Sequence, residues 1–536
     1  MADQQQARVT ELKGDEETEA RKIFAQFAAN ELVFAVVGHV GSGTTTIATA
    51  LQRLLQAPNA TGEPYDTVIL KARDVIAEWT TSIKEQLPAD GAKELEVAER
   101  YQDLGDQMRF DTKDHSSVAK RLIRKIVERR ASKTGVTFTD PVAVLPDGNR
   151  RAYILDSIRH PAEVELLRHV YHDAFILIGV VCDEERRRKR VMRKYSDAGE
   201  TRAREFMERD AKSGKKHGQR VSDAFHMSDF FLDNTTERFE KDGQESEHWN
   251  INDKLSRLIK IVAQKEVVRP ETSETAMHHA YGAAMRSACL SRQVGAALVD
   301  RNGNVAATGT NEAPQAGGGV YGESFDEAAP DHRCAFQRTG ETAYCSNTRQ
   351  QNLIVNALLD EIPELKDLDA IRKNALRLSL RKGRIGDLIE FSRAVHAEMD
   401  ALLTAGREGT TTIGSRLFVT VFPCHYCARH IVSAGVDEVQ YIEPYPKSQA
   451  LALHRDAIEI EARDWVPPSK GGDKALFRPF VGVAPRLYRK AFFKDRDLKD
   501  NDSGTMYSGD TEWGTPWHLG YASYADVELA LIKALT

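Results

Sequence analysis

Cysteine is scarce in this chain, with six among 536 residues. So few thiols cannot build a disulfide framework, and a reducing, cytoplasmic setting is expected. Long apolar runs are missing too. A membrane-spanning helix needs about 20 apolar residues, and stretches such as AFILIGVV at 174–181 fall well short. The opening segment, MADQQQARVTELKGDEETEARK, has no apolar stretch, so neither a secretory signal nor a membrane association is expected. There is no excess of positive charge. The net charge is −6, whereas a protein that grips long nucleic acid by its phosphates is more often basic. A small-molecule substrate is the better fit. Repeats and long low-complexity segments are also absent. The remainder is ordinary for a soluble globular protein, at 41% hydrophobic and 29% charged. Its length exceeds one core and predicts roughly two to four domains.

One pair of short stretches concentrates the chemistry. His396-Ala397-Glu398 is followed downstream by Pro423-Cys424-His425-Tyr426-Cys427. His396, Cys424 and Cys427 are ligand types that suit zinc, and three protein ligands leave a fourth tetrahedral position for water. Zinc lowers the pKa of water enough to make it nucleophilic near neutral pH. Glu398, two residues from the histidine, has the right chemistry for a general acid–base that does not ligate the metal. AEMDALL at 397–403 reads as a helix with His396 and Glu398 in its first turn. Cys424 to Val432 reads as a second helix, entered through Pro423. Cysteines three apart share one helical face, and a helix start favours the thiolate. This H-x-E and P-C-x-x-C arrangement resembles that of the zinc-dependent nucleobase deaminases.

The first half carries a different pattern. The apolar strand ELVFAVV at 31–37 runs into Gly38-His-Val-Gly41-Ser42-Gly43-Thr44-Thr45-Thr46 and then a helix predicted over Ile47–Gln56. Strand, glycine loop and helix are the context of a phosphate-binding loop, because backbone N–H groups and the helix start attract anions. Thr44 stands where the loop's lysine belongs, while Thr45 keeps the hydroxyl that holds magnesium. Gly38, Gly41, Ser42, Gly43, Thr44 and Thr45 are therefore candidate nucleotide-binding residues, with a magnesium nucleotide as occupant. ATP hydrolysis is expected to be weak or absent. RAYILD at 151–156 reads as a strand ending in an acid, and with Arg159 it resembles the Asp-x-x-Arg stretch of nucleoside monophosphate kinases. The basic run EERRRKRVMRK at 184–194 falls where such kinases carry a lid.

KEVVRPETSE at 265–274 reads as a polar linker. It divides a P-loop nucleotide-kinase-like domain at 1–264, with a polar leader at 1–30, from a second domain at 275–536. That domain holds an insert at 315–390 and an extension at 466–536. Its order of helix (275–289), Asn302-Gly303 hairpin, zinc helix, strand and zinc helix is that of the cytidine deaminase fold. The expected architecture is α/β: an N-terminal parallel sheet, then a C-terminal cytidine deaminase-like α/β/α domain.

SRQVGA at 291–296, Asn311 with Glu312-Ala-Pro314, HAE and PCHYC together resemble the deoxycytidylate deaminases. Fused behind a degenerate phosphate loop, and followed by YIEPYPKS and FRPFVGVAPR, they resemble the bacterial anti-phage deoxycytidine nucleotide deaminases. The resemblance implies zinc-dependent hydrolysis of dCTP or dCMP to dUTP or dUMP plus ammonia, which would deplete dCTP during phage infection. It also implies substrate contacts from Arg292, Asn311 and Lys447. A homo-oligomer is expected, with any regulatory RNA or protein unidentified. Two other functions stay open: a polynucleotide cytidine or adenosine deaminase, and a nucleotide-regulated switch or kinase with an accessory deaminase domain. A second zinc at His332, Cys334 and Cys345 is a further candidate, and the segment at 501–517 receives no function.

Overall fold

The computed structural model describes residues 29–505 and residue 532, apart from 58–63, 89–93, 139–142, 196, 216, 240–243, 245, 264–266, 323–343, 446, 494–498 and 500–501. Two compact units divide at Arg269/Pro270 and again at Phe480/Val481, so the chain re-enters the first unit after the second. The leader at 1–28, His332, Cys334 and most of 501–517 lie outside the described residues. No described helix is long and apolar enough to cross a membrane.

The first unit is built on a sheet of order β12-β5-β4-β1-β3-β2. Its strands are β1 (Glu31–Val37), β2 (Asp66–Lys71), β3 (Arg151–Ile158), β4 (Phe175–Val181), β5 (Phe230–Asp233) and β12 (Gly482–Val483). All neighbours pair in parallel except β12 with β5. Every residue of β1, β3 and β4 is buried. That fits the apolar runs of β4 and of β1 after Glu31, since a central parallel strand is covered on both faces. Phe34, Ile154, Ile178, Phe230 and Leu232 pack with Ile47 and Leu51 of the helix Thr44–Gln56, and with Leu255 and Leu258 of the helix Ile251–Ala263. Each such side chain contributes about 1.5–3 kcal/mol when fully buried.

The second unit has a mixed sheet of order β10-β11-β9-β8-β6-β7. Its strands are β6 (Gly295–Val299), β7 (Val305–Thr310), β8 (Arg416–Val421), β9 (Glu438–Glu443), β10 (Ile458–Glu459) and β11 (Ala475–Pro479). The β6–β7 hairpin turns through Asn302-Gly303, with Gly303 at φ 90°, as the Asn-Gly pair predicts. Gly309 on β7 lets a helix approach closely: a Cβ there would lie 2.1 Å from the Ala397 carbonyl oxygen.

The structure moves two expected boundaries. The stretch 265–274 is not wholly a linker, because a helix starts at Thr272. Glu271 and Glu274 form a reciprocal capping box there, with the Glu271 N–H donating to Glu274 Oε2 at 2.7 Å. Within the extension at 466–536, residues up to Phe480 stay with the second unit and the chain from Val481 leaves it. Gly482 and Val483 pair antiparallel with Phe231 and Phe230, and the helix Pro485–Phe492 places Leu487 in the first unit's core.

Candidate active site

Two helix starts meet in the second unit. The helix Ala397–Arg407 begins just after His396, which occupies the cap position with extended backbone, φ −77° and ψ 153°. The helix His425–Ser433 begins just after Cys424, whose sulfur accepts from the Cys427 N–H at 3.4 Å. Both ligand-type residues thus sit one position outside the helices that the sequence placed them in. Cys424 Sγ lies 3.3 Å and Cys427 Sγ 3.4 Å from His396 Nδ1. All three candidate ligand atoms fall within 4.8 Å of one another, the one His/Cys/Asp/Glu group of this kind among the described residues.

That spacing suits zinc. Tetrahedral bonds of about 2.3 Å to sulfur and 2.0–2.1 Å to nitrogen set S···N separations at roughly 3.6 Å, within a few tenths of those seen. The three candidate ligands differ in protonation: Cys424 already has the form zinc needs, while a metal would displace protons from His396 and Cys427. A hydrogen bond from Cys427 and the nearby His396 bring the Cys424 thiol down to about 4 against burial, so it is a thiolate. Cys427 is pushed up by that same hydrogen bond and by burial. Burial opposes a charge on His396, but the Cys424 hydrogen bond and the Glu398 charge prevail and raise it to about 9.

Glu398 is 4% exposed. Burial, helped by the Cys424 charge, pushes its carboxyl up to about 7, and it shares a hydrogen bond with the Cys427 thiol. The carboxyl therefore stands beside the three candidate ligands in a dry place.

Residues 270–443 match the family model of the cytidine and deoxycytidylate deaminase zinc-binding region. This part of the chain is a deaminase domain. The deoxycytidylate deaminase of Enterobacteria phage T4 is 29% identical over 179 residues, spanning 33% of this chain and 80% of the phage protein. ComE operon protein 2 of Bacillus subtilis is 41% identical over 91 residues, spanning 16% of this chain and 48% of that protein. Among solved structures, the dCMP deaminase of cyanophage S-TIM5 aligns with 19% identity and a TM-score of 0.21, covering 39% of this chain and 99% of its own.

Around the deaminase site the other expected residues are differently engaged. Asn311 uses its amide to hold backbone: Oδ1 accepts from the Val294 N–H and Nδ2 donates to the Arg292 carbonyl, each at 2.7 Å. It shapes the SRQV turn. Arg292 pairs with Glu443 at 2.7 Å, and Lys447 with Asp387 at 2.8 Å. Neither cation is bare. Ser448, next to Lys447, donates to the Pro423 carbonyl at 2.7 Å and so ties the PC turn to the chain after β9. Cys345 hydrogen bonds to Ser291 at 3.6 Å.

Three residues received no role from the sequence. Asp400 accepts from the Thr310 N–H at 3.0 Å and pins the His396 helix to β7. Glu312 is 1% exposed and accepts from the N–H groups of Ala288 and Ala313. Burial raises the pKa of Tyr445, with smaller effects from the charges of Cys424, Arg292 and Asp387. Asp400 lies four residues from His396 on the same helix, so helical spacing alone would have flagged it.

In the first unit, the loop 38–43 joins β1 to the helix Thr44–Gln56. That helix starts three residues earlier than predicted. Gly41 and Gly43 adopt φ 83° and 90°. A Cβ at Gly41 would sit 2.6 Å from the Arg187 carbonyl oxygen, and one at Gly43 2.4 Å from Asn234 Nδ2. Thr45 Oγ1 donates to Asp156 Oδ2 at 2.7 Å. The Val40 N–H donates to Asp210 Oδ2 at 2.7 Å, and Asp210 pairs with Arg159 at 2.6 Å. The loop's hydroxyl, an acid from the neighbouring strand and an arginine thus gather at one end of β1. Ser42 is 1% exposed and its hydroxyl has no partner among the described residues.

Proposed function

We propose that this protein catalyses the zinc-dependent hydrolytic deamination of free deoxycytidine nucleotides, dCMP, dCTP or both. The observation that carries the reading is the buried set of His396, Cys424 and Cys427 with Glu398 dry beside it. His396, Cys424 and Cys427 would hold the metal, and zinc bound there would make water nucleophilic near neutral pH. The protein's own work falls to Glu398. Its carboxylate takes one proton from water and delivers it to N3 of the cytosine, then takes the second from the added hydroxyl and delivers it to the amine, which leaves as ammonia, all without ligating the metal. Asp400 and Gly309 keep the His396 helix against β7 and so hold Glu398 in reach. Asn311 orients the turn that carries Arg292, and its second amide hydrogen remains for a sugar hydroxyl. Arg292 and Lys447 reach the substrate phosphates by exchanging Glu443 and Asp387 for them.

The first unit, in this reading, is a nucleotide-kinase-like domain whose loop, Gly38 to Thr45, binds a nucleotide with magnesium and controls the deaminase. Strand order β5-β4-β1-β3-β2 with the loop on the central strand supports it, as does the Thr45–Asp156 pair. Depletion of dCTP during phage infection is the role that such a pairing would serve. The full chain acts as a homo-oligomer in the cytoplasm, and the linker-to-extension path through both units is the route for control.

The test is turnover of purified protein on dCMP, dCTP, CTP and single-stranded DNA, with zinc content measured on the same sample. Release of ammonia and a deoxyuridine nucleotide is expected from dCMP or dCTP. Glu398→Ala should lose on the order of 10²–10⁴-fold in rate while keeping its zinc. Activity confined to DNA or RNA would defeat the substrate assignment. Full turnover by zinc-loaded Glu398→Ala would defeat the mechanism.

A further inference from the structure

A second polar cavity lies in the first unit, at the amino ends of β4 and β5. The glycine loop follows the carboxyl end of β1, which runs parallel to β4, so the two features lie at opposite ends of the strands. The cavity has a volume of about 230 Å³. Arg168, Arg486, Lys490 and His172 line it, against Asp229 and Asp173. Three permanent cations therefore face two carboxylates.

The carboxylates do not balance these cations. Asp229 is 5% exposed, and its Oδ2 is already committed to the Leu177 N–H at 2.8 Å. Its Oδ1 accepts from Arg168 Nη2 at 2.9 Å, with Arg486 Nε 3.7 Å away on the same oxygen. Two guanidinium groups thus converge on one oxygen atom. Arg168 Nη2 also donates to the Met227 carbonyl. Lys490 donates to the Asp173 carbonyl at 2.9 Å, while its separation from that residue's carboxylate is 3.9 Å. Burial lowers the pKa of Arg168; the Asp229 charge opposes this and the nearby Arg486 charge adds to it. Burial likewise lowers that of Lys490. These are cations held at a cost, which an incoming anion would offset. The Arg486 side chain is 63% exposed, so the cavity is open at that end.

We propose that this cavity binds a compact phosphate-bearing anion, through Arg486 and Lys490 of the helix Pro485–Phe492 together with Arg168. A guanidinium presents paired N–H groups that match phosphate oxygens, and an ammonium adds a point charge. The volume exceeds that of several waters at about 30 Å³ each, enough for one or two phosphoryl groups. The anion would join the helix Pro485–Phe492 to the end of the helix Pro161–Tyr171. It would thus fasten the returning chain to the unit that it re-enters. The same chemistry is offered by free phosphate or pyrophosphate and by the phosphates of a nucleotide.

Calorimetric titration of the full-length protein separates these sources. Pyrophosphate and ADP are titrated in turn into a Gly43→Ala background, which disables the glycine loop. Pyrophosphate is expected to bind, and Arg486→Gln with Lys490→Gln should weaken it at least tenfold, with zinc content and deaminase turnover unchanged. Arg486→Lys should restore part of the loss. Equal binding of ADP, lost in the same variants, assigns the site to nucleotide phosphates; binding of pyrophosphate alone assigns it to the free anion. Arg486→Gln by itself, at an exposed position, covers the case in which the double variant fails to fold. Pyrophosphate binding that is absent from the Gly43→Ala protein, or unchanged by Arg486→Gln, would overturn the proposal.

Discussion

Replacing Gly309 by alanine tests whether the deaminase site depends on close contact between β7 and the His396 helix. The added methyl carbon would stand 2.1 Å from the Ala397 carbonyl oxygen and 2.4 Å from the Ala401 N–H nitrogen. Both are backbone atoms, so no side chain can swing aside. Ordinary carbon–oxygen contact requires the helix to retreat by roughly 1 Å, or the strand to bow, and such overpacking costs about 1–3 kcal/mol. The retreat would pull against the Asp400–Thr310 hydrogen bond at 3.0 Å and carry His396 and Glu398 with it. Cys424 and Cys427 belong to another helix and would stay behind. A displacement of about 1 Å at a catalytic group is enough to lower turnover on the order of 10²-fold. The expected outcome for Gly309→Ala is therefore weaker zinc retention under dialysis against a chelator, a lower melting temperature and turnover of dCMP or dCTP reduced by that order. Gly409→Ala is a control, because a Cβ there meets nothing within 4 Å; it tests only the φ of 69°. Wild-type turnover, melting and zinc retention in Gly309→Ala would show that helix and strand do not approach this closely.

Other outcomes follow from the same geometry. Cys424→Ala should lose zinc and turnover together, unlike Glu398→Ala, as elemental analysis and an ammonia-release assay on one preparation would show. Gly43→Val should displace Asn234 from the Ser42 carbonyl, a 2.7 Å hydrogen bond, and abolish nucleotide binding to the loop in equilibrium dialysis while zinc content holds. The first unit should lose stability in acid through His160. Burial, then the Arg109 charge, lower its pKa to about 3, against about 6.5 in an unfolded chain. The unfolded state thus binds the extra proton first, and stability falls as pH drops from about 6.5 toward 3. His160→Asn should keep a cap on the Ala162 N–H, which His160 Nδ1 now provides at 3.1 Å, and flatten that part of a melting-temperature profile against pH.

Parts of this molecule were legible because local chemistry leaves few choices. The three candidate ligands and Glu398 announce themselves by residue type and by helix starts that the sequence also marks. The glycine loop is equally local: positive φ at Gly41 and Gly43 is a backbone requirement that few other residues meet. Even so, local signals misled at 265–274. The same glutamates that read as a polar linker form the capping box of a helix, because two acids three residues apart suit either outcome.

What stayed hidden is long-range pairing. Asp210 reaches Val40 across 170 positions and Arg292 reaches Glu443 across 151, and no spacing rule connects them. Asn311 shows the consequence for function. An asparagine amide can hold a ligand or a turn, and the choice depends on whether backbone N–H and C=O groups arrive beside it. Here Val294 and Arg292 supply them, so Asn311 holds the turn. The two-residue strand β12 is too short for any periodicity, yet its pairing with β5 returns the chain to the first sheet directly after the deaminase domain's last strand. The first unit's fold therefore includes residues on both sides of the deaminase domain. A perturbation at the glycine loop, or at the cationic cavity against the helix Pro485–Phe492, then acts on a unit covalently tied to both ends of the domain that carries the zinc motif.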